Sequence, residues 1–396
     1  MRYISADYIF PISSPPIKNG IVGISDDGEI SHITSNISHV KPEIYNGIIC
    51  PGFINTHCHS ELSYLKGHIP EQKGLDEFIN EVEKLRRNFS EEEIKKAVIK
   101  ADEEMQQNGI VAVGDICNSN ISFEQKKNSQ LYYHNFIEVF AFHPDRADAA
   151  FEKGLKLFTE YVHLPRGGDR EGASITPHAP YSASEKLLKK ISDFTLQHNS
   201  ILSIHNQENY DEDFLFKKKE GKILERLKKF GVETDFWKAT GKSSVRSVLP
   251  HLPEENNLLL VHNTCTQRED IQWVHQHRKN TYWCFCPNAN LYIENTLPDF
   301  NLFISERVKI TIGTDSLASN HQLSVLEELK TISKHSSAIP LQTLLTWATK
   351  NGAEFLGLEK KFGTIEKGKK PGLVLIENLD VEKIRLTDNS KARLLL

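Results

Sequence analysis

The sequence predicts an α/β protein, a (β/α)8 TIM barrel carrying a small discontinuous β-sandwich domain built from both chain ends. Three observations predict it. Eight short apolar runs alternate with helix-length segments through the middle of the chain, the order that produces a parallel sheet. Both ends are rich in short β-like runs separated by turn signals. Polar residues able to do chemistry stand just past several of the apolar runs, where a barrel places its active site.

Residues 1–50 form the first part of the sandwich. They hold β-like runs at 2–10, 20–25 and 29–33, the last two joined by Asp26-Asp27-Gly28, a strong hairpin signal. The barrel takes residues 51–356, with strand-like runs at 53–56, 110–114, 136–142, 173–177, 201–204, 258–261, 282–286 and 309–313. Ser90 and Glu93 make a capping box before an amphipathic segment, and Gly109 ends that helix just ahead of the second strand. One helix is expected over 341–356. Residues 357–396 supply the rest of the sandwich, with a Gly/Lys/Pro-rich turn at 368–372 and runs at 373–376 and 392–396. No glycine-rich phosphate loop follows the first strand, which argues against a doubly wound sheet.

Across 396 residues the formal net charge is −5 with both signs interspersed, so neither nucleic acid nor an anionic membrane is an expected partner. The first residues lack a basic segment followed by an apolar core, and no run approaches the roughly 20 apolar residues that span a bilayer. The six cysteines are scattered and lie mostly in apolar runs, which suits reduced thiols of a cytoplasmic protein. A small-molecule substrate is the expected partner, and a homodimer is compatible with this reading.

The residues past the strand ends carry the chemistry. The first run ends in His57-Cys58-His59, and residues two apart on a strand point to one side. The fourth ends in His178, the fifth in His205, the sixth in His262 and the eighth in Asp315. Asp115 follows the second, where it is either part of the site or a structural cap. Three histidines and a carboxylate suit zinc or another borderline divalent metal, with room left for a water. A carboxylate at the end of a buried strand, as at Asp315, needs a charged partner, which a metal supplies. Glu208, three residues past His205, either caps the following helix or moves protons beside the metal.

Taken together, His57-Cys58-His59, His178-Ala179-Pro180-Tyr181-Ser182, His205-x-x-Glu208, His262 and Gly313-Thr314-Asp315-Ser316 resemble the amidohydrolase superfamily. The likeness is to its branch of cytosine-, guanine- and S-adenosylhomocysteine-deaminase-like enzymes, with triazine chlorohydrolases as relatives. It covers nearly the whole chain, including the turn Gly363-Thr364-Ile365-Glu366-Lys367-Gly368-Lys369. The resemblance implies one divalent metal, zinc or iron, held by His57, His59, His205 and Asp315. It further implies that Glu208 shuttles protons, that His262 positions the water, and that His178 contacts substrate. No lysine ends the fourth strand at Thr176-Pro177-His178, so a single metal is implied rather than two. The chain departs from the family at Phe285-Cys286-Pro287-Asn288-Ala289-Asn290, where His-Cys-Pro-x-Ser-Asn is usual; Asn290 keeps the final, substrate-side position.

A divalent metal lowers the pKa of bound water from roughly 15.7 to about 7, which supplies hydroxide at neutral pH. Asp315 can take the water's proton, His262 can steady the developing charge, and Glu208 can protonate a ring nitrogen and then the departing ammonia. This set fits hydrolytic deamination of an amino-substituted aromatic heterocycle. The alternatives are a chlorohydrolase or cyclic-amide hydrolase on the same site, or an inactive binding protein. His57-x-His59-x-Glu61-Leu62-Ser63 resembles the H-x-H-x-E-x-S pattern of aminodeoxyfutalosine deaminases, in which Glu61 would either bind a ribose hydroxyl or pair with a lysine. The charged stretch 211–250 is an expected lid, with Lys242 or Arg246 holding an anionic substrate tail, and with Phe236 and Trp237 stacking on the heterocycle or packing in the core.

Overall fold

Apolar, β-branched runs flanked by helical segments pair in parallel, and the computed structural model, which describes residues 1–35, 41–164 and 171–396, shows two such sheets. The first sheet orders β1 (Phe53–Cys58), β2 (Ile110–Cys117), β3 (Tyr132–Val139) and β4 (Glu171–Pro177). The second orders β5 (Leu202–Asn206), β6 (Leu258–His262), β7 (Thr281–Phe285) and β8 (Lys309–Ile312).

Side chains and loop backbone join the two sheets along two seams. At the β4–β5 seam the Thr176 hydroxyl accepts from Ser203 N at 2.9 Å and donates to Ser203 O. Just beyond it, His205 N donates to His178 O at 2.9 Å. At the β8–β1 seam Thr56 Oγ1 donates to Ile312 O at 3.0 Å, and both Thr314 N and Asp315 N donate to His57 O at 3.0 and 3.1 Å. Buried threonines thus satisfy backbone groups that a regular ladder would otherwise pair. The result is the eight-stranded barrel, and its C-terminal ends carry the residues of interest.

The chain ends form one continuous seven-stranded sheet with its own cluster of buried side chains, among them Ile4, Val22, Ile49 and Leu375. Its strands run to Pro51 and resume at Leu373, and Glu43–Pro51 pairs antiparallel with Leu373–Glu377. The hairpin expected at Asp26-Asp27-Gly28 joins Ile21–Ile24 to Ile30–Thr34, and Gly28 takes the positive φ (82°) that the turn requires.

Two elements differ from expectation. The third strand begins four residues earlier than its apolar run, at Tyr132, and stops at Val139 rather than 142. Its polar entry is tolerated because His134 Nε2 meets Ser174 Oγ at 3.0 Å and Asn135 Oδ1 accepts from Lys126 Nζ at 2.7 Å. The expected helix over 341–356 is two, Leu341–Ala348 and Lys350–Phe355. Thr349 breaks it with φ −133° and ψ −78°, and its hydroxyl donates to Leu345 O at 2.6 Å.

Asp115 belongs to the scaffold, which settles its open reading. Lys126, fully buried, places Nζ 2.5 Å from Asp115 Oδ2, 2.9 Å from Cys117 Sγ and 2.7 Å from Asn135 Oδ1. Three acceptors match the three donors of an ammonium group. Burial alone would lower the lysine's pKa, but Asp115 and its other anionic neighbours hold it above the usual range. Asp115 also accepts from Ser60 N and Ser60 Oγ at 2.8 and 2.6 Å, so it pins the segment that follows His59. Lys126→Met leaves Asp115 buried without its cation; chemical unfolding should show stability lower by about 3–5 kcal/mol.

Candidate metal and catalytic site

His57 is the penultimate residue of β1, and His59 stands one residue past the strand, immediately before the 3-10 turn Ser60–Leu65. His205 lies in β5, and Asp315 follows β8 in a left-handed conformation (φ 56°). Their polar atoms converge. His59 Nε2 is 3.2 Å from His57 Nε2 and 3.3 Å from His205 Nε2. Asp315 Oδ1 is 3.5 Å from His59 Nε2 and 3.7 Å from His57 Nε2. Four atoms bound about 2.0–2.1 Å from one tetrahedral centre would stand about 3.3–3.4 Å apart, so the spacing fits a metal such as zinc.

The orientations of His205 and Asp315 have local causes. His205 Nδ1 lies 2.8 Å from the His178 carbonyl, which can only accept, so the proton sits on Nδ1 and the Nε2 lone pair faces the cluster. Burial, and then the neighbouring histidines, hold His205 well below the usual histidine range. Burial likewise lowers His57 to about 4, against the opposing pull of Asp315. Both rings are therefore neutral, as metal ligands must be. Asp315 Oδ2 accepts from Ser319 Oγ at 2.6 Å, which leaves Oδ1 turned toward the histidines. Burial would raise its pKa, but the hydrogen bond with His57, with the other histidines of the cluster adding to it, holds the carboxyl well below the usual range.

His262 ends β6 with φ 75°, and Asn263 beside it has φ 60°. Two adjacent non-glycine residues in this region are strained, and their surroundings hold them there. Asn263 Nδ2 donates to Leu260 O and Cys284 O, and its Oδ1 accepts from Asn206 Nδ2 at 3.0 Å. Asn290 Oδ1 lies 2.8 Å from His262 Nδ1, so that nitrogen carries the proton and Nε2 faces Glu208 Oε1 at 3.7 Å. Asn290, expected on the substrate side, is instead buried and spends both ends of its amide on His262 and Thr264.

Glu208 is buried in the connection ahead of helix Tyr210–Lys218, not within its first turn, and it makes no capping bond. Gln207 fixes it: the Gln207 amide donates to Asp270 and accepts from Thr266, at φ 45°. Burial first, then the charges of Asp315 and Glu294, push the Glu208 carboxyl well above its usual range. A carboxyl whose pKa is raised in this way suits general acid–base work beside the cluster.

His178 joins the same wall, with its ring centroid 4.9 Å from that of His205 and its Nδ1 2.8 Å from Ser182 Oγ. Glu61 is held by the protein. Its oxygens accept from Asn118 N at 3.1 Å and Ser122 Oγ at 3.3 Å, and burial pushes its pKa up to about 7 against the opposing charge of the buried Lys126 beside it. Arg246 Nε lies 2.7 Å from Asp270 Oδ1, which also accepts from Ser243 Oγ at 2.6 Å. Lys242 is exposed in the insertion. Phe236 and Trp237 pack against Phe142 beyond the third strand at ring separations of 5.8 and 5.9 Å. The insertion is tied to helix Leu75–Leu85 by Arg226, whose Nη1 meets Asp76 O and Oδ1 at 2.9 and 3.0 Å.

Three polar residues of this region were not singled out from the sequence. Ser319 orients Asp315, Glu294 holds Leu75 N and Asn209 Nδ2, and Glu138 faces His178 and His205. An acid inside an apolar run was the available signal for Glu138. Because Asn290 sets the His262 tautomer, Asn290→Leu should populate the Nε2-protonated ring; imidazole nitrogen shifts in 15N-histidine-labelled protein would report it.

The amidohydrolase family model matches residues 48–392. A 5′-deoxyadenosine deaminase of Methanosarcina acetivorans is 24% identical over 389 residues, covering 94% of this chain and 82% of the relative. An aminofutalosine deaminase of Helicobacter pylori, solved in complex with methylthio-coformycin, superposes with a TM-score of 0.83 at 22% identity, over 98% of this chain and 94% of that one. Atrazine chlorohydrolase of Arthrobacter aurescens, solved with zinc, superposes with a TM-score of 0.78 at 16% identity, over 100% and 95%. These last two show a shared fold. With nearly the full chain matched by one model, the protein belongs to the amidohydrolase family.

Proposed function

We propose that the protein is a metal-dependent hydrolase that deaminates a 6-aminopurine nucleoside. The observation that carries the reading is the pairing of two features. A cluster of three imidazole nitrogens and one carboxylate oxygen has metal-ligand spacing, and the buried, non-ligating carboxyl of Glu208 stands beside it, 3.7 Å from His262 Nε2. Support for the substrate class comes from relatives named for deamination of 5′-deoxyadenosine, and of 5-methylthioadenosine and S-adenosylhomocysteine. The six cysteines are free and buried, which supports a reducing, cytoplasmic setting.

In this reading His57, His59, His205 and Asp315 hold one divalent ion, with zinc the metal expected from the donor set. Such an ion supplies acidification of a water. The chain's own residues do the rest. Asp315 accepts a proton from the attacking water, and His262 Nε2 holds that water through a hydrogen bond. Glu208 donates its proton to the ring nitrogen next to the attacked carbon, which makes the carbon electrophilic. The proton that Asp315 received goes to the leaving amino group, and the proton of the new hydroxyl returns to Glu208 as ammonia departs, so water and amine become a ring carbonyl and ammonia with both carboxyl groups back in their starting states. The helices of residues 210–250, anchored through Arg226 and Asp270, form a lid over this end of the barrel.

Metal analysis of the purified protein should find about one tightly bound divalent ion per chain. Glu208→Gln should keep that ion and lose turnover by about 10²–10⁴-fold. Two ions per chain, or metal loss in this variant, would contradict the assignment.

Lys242 or Arg246, the latter with its Nε beside Asp270, holds an anionic 5′ extension such as that of aminodeoxyfutalosine. Ammonia release measured across adenine nucleosides should then show Lys242→Ala or Arg246→Ala raising KM for anionic substrates alone. Release of chloride from a triazine, with no ammonia from any nucleoside, would replace the deaminase reading by a chlorohydrolase.

A further inference from the structure

We propose that Glu138 binds a hydroxyl of the substrate's sugar, an inference that rests on the nucleoside-deaminase reading. Glu138 is the penultimate residue of β3 and is 8% exposed. Its Oε2 accepts from Asn118 Nδ2 at 3.1 Å. Its Oε1 is buried and has no hydrogen-bond partner among the described residues. His205 Nδ1 lies 3.5 Å from that oxygen, but it donates its proton to the His178 carbonyl at 2.8 Å. One carboxylate oxygen therefore stands in the wall of the site with an unused acceptor, a state that a ligand donor relieves.

The donor's chemistry follows from the surroundings. Glu138, His178 and His205 bring their polar atoms within 4.8 Å of one another. These three do not make a second metal site, because the proton on His205 Nδ1 leaves that ring a single lone pair, already directed at the first cluster. A phosphate or carboxylate would meet Glu138 as a like charge. A hydroxyl gives the oxygen a charge-assisted bond. His178 Nδ1 is occupied by Ser182, so its other ring nitrogen is left to meet a neighbouring hydroxyl. A vicinal diol, as on a ribose, satisfies both.

Glu61 supports this arrangement from behind. It holds Asn118 N, and Asn118 holds both Glu138 Oε2 and the Glu138 carbonyl oxygen. The hydroxyl acceptor is thus Glu138, with Glu61 a positioning residue two hydrogen bonds away.

Calorimetric binding of inosine and of hypoxanthine separates the sugar from the base without needing turnover. In Glu138→Gln the amide oxygen is retained by Asn118, and an NH2 replaces the free acceptor. This variant should bind inosine at least about tenfold more weakly than wild type, the loss of one charge-assisted bond. Hypoxanthine binding and metal content should be unchanged, and Glu138→Ala should show the same split. Equal losses for inosine and hypoxanthine, unchanged inosine binding, no inosine binding by wild type, or loss of metal in Glu138→Gln would each overturn the proposal. Absence of ammonia release by wild type from every adenine nucleoside, those with anionic 5′ extensions included, would instead remove the deaminase reading, while the two binding measurements still decide the role of Glu138.

Discussion

A neutral imidazole has one lone pair, and the nitrogen that offers it is set by whatever takes the proton from the other. That constraint organises the barrel mouth. The His178 carbonyl takes the His205 proton and Asn290 takes that of His262, so both Nε2 atoms face inward. Neither partner is itself a candidate ligand, yet without them either ring could turn its proton toward the cluster. The seam between β4 and β5 is part of this arrangement, because the carbonyl that orients His205 also accepts from its backbone amide.

The barrel was legible because its strands are short, apolar and evenly interrupted, and because a histidine or aspartate stands at most of their ends. The apolar run 136–142 misplaced the third strand, which takes in the polar His134 and Asn135. Their partners, Ser174 and Lys126, come from other parts of the chain and have no sequence signal. The same shift hid Glu138, which seemed to sit mid-strand and in fact lies near the strand's end. Asn290 was found at the right position with the wrong neighbour, since spacing places a residue at the mouth without saying which way its amide is used. Arg246 has a neighbour the sequence did not signal, since Asp270 lies on a helix beyond the next strand.

Charge around the mouth is mostly accounted for within the protein. Lys126 pairs with Asp115, Arg226 with Asp76, Lys217 with Asp213 and Arg246 with Asp270. Pairing of this kind fixes loops more than it adds stability, since desolvation offsets much of the Coulomb attraction. Its effect here is to hold the segments after β1, β5 and β6 in one arrangement. Glu138 and Glu208, neither paired with a lysine or arginine among the described residues, face the cluster and differ in character: one has an unpartnered oxygen, and burial raises the pKa of the other.

The β8–β1 seam joins residues about 260 positions apart, with Thr314 and Asp315 bonded to the backbone of His57. The first and last members of the cluster therefore meet only across the longest loop the barrel contains. During synthesis, His57 leaves the ribosome long before Asp315 exists, and the end sheet must wait still longer for Leu373–Glu377. Contacts of such high order are slow to form because chain closure precedes their reward. A nascent or prematurely terminated chain would thus display a half-barrel with open strand edges and an incomplete ligand set, a form dependent on chaperones and vulnerable to edge-to-edge association.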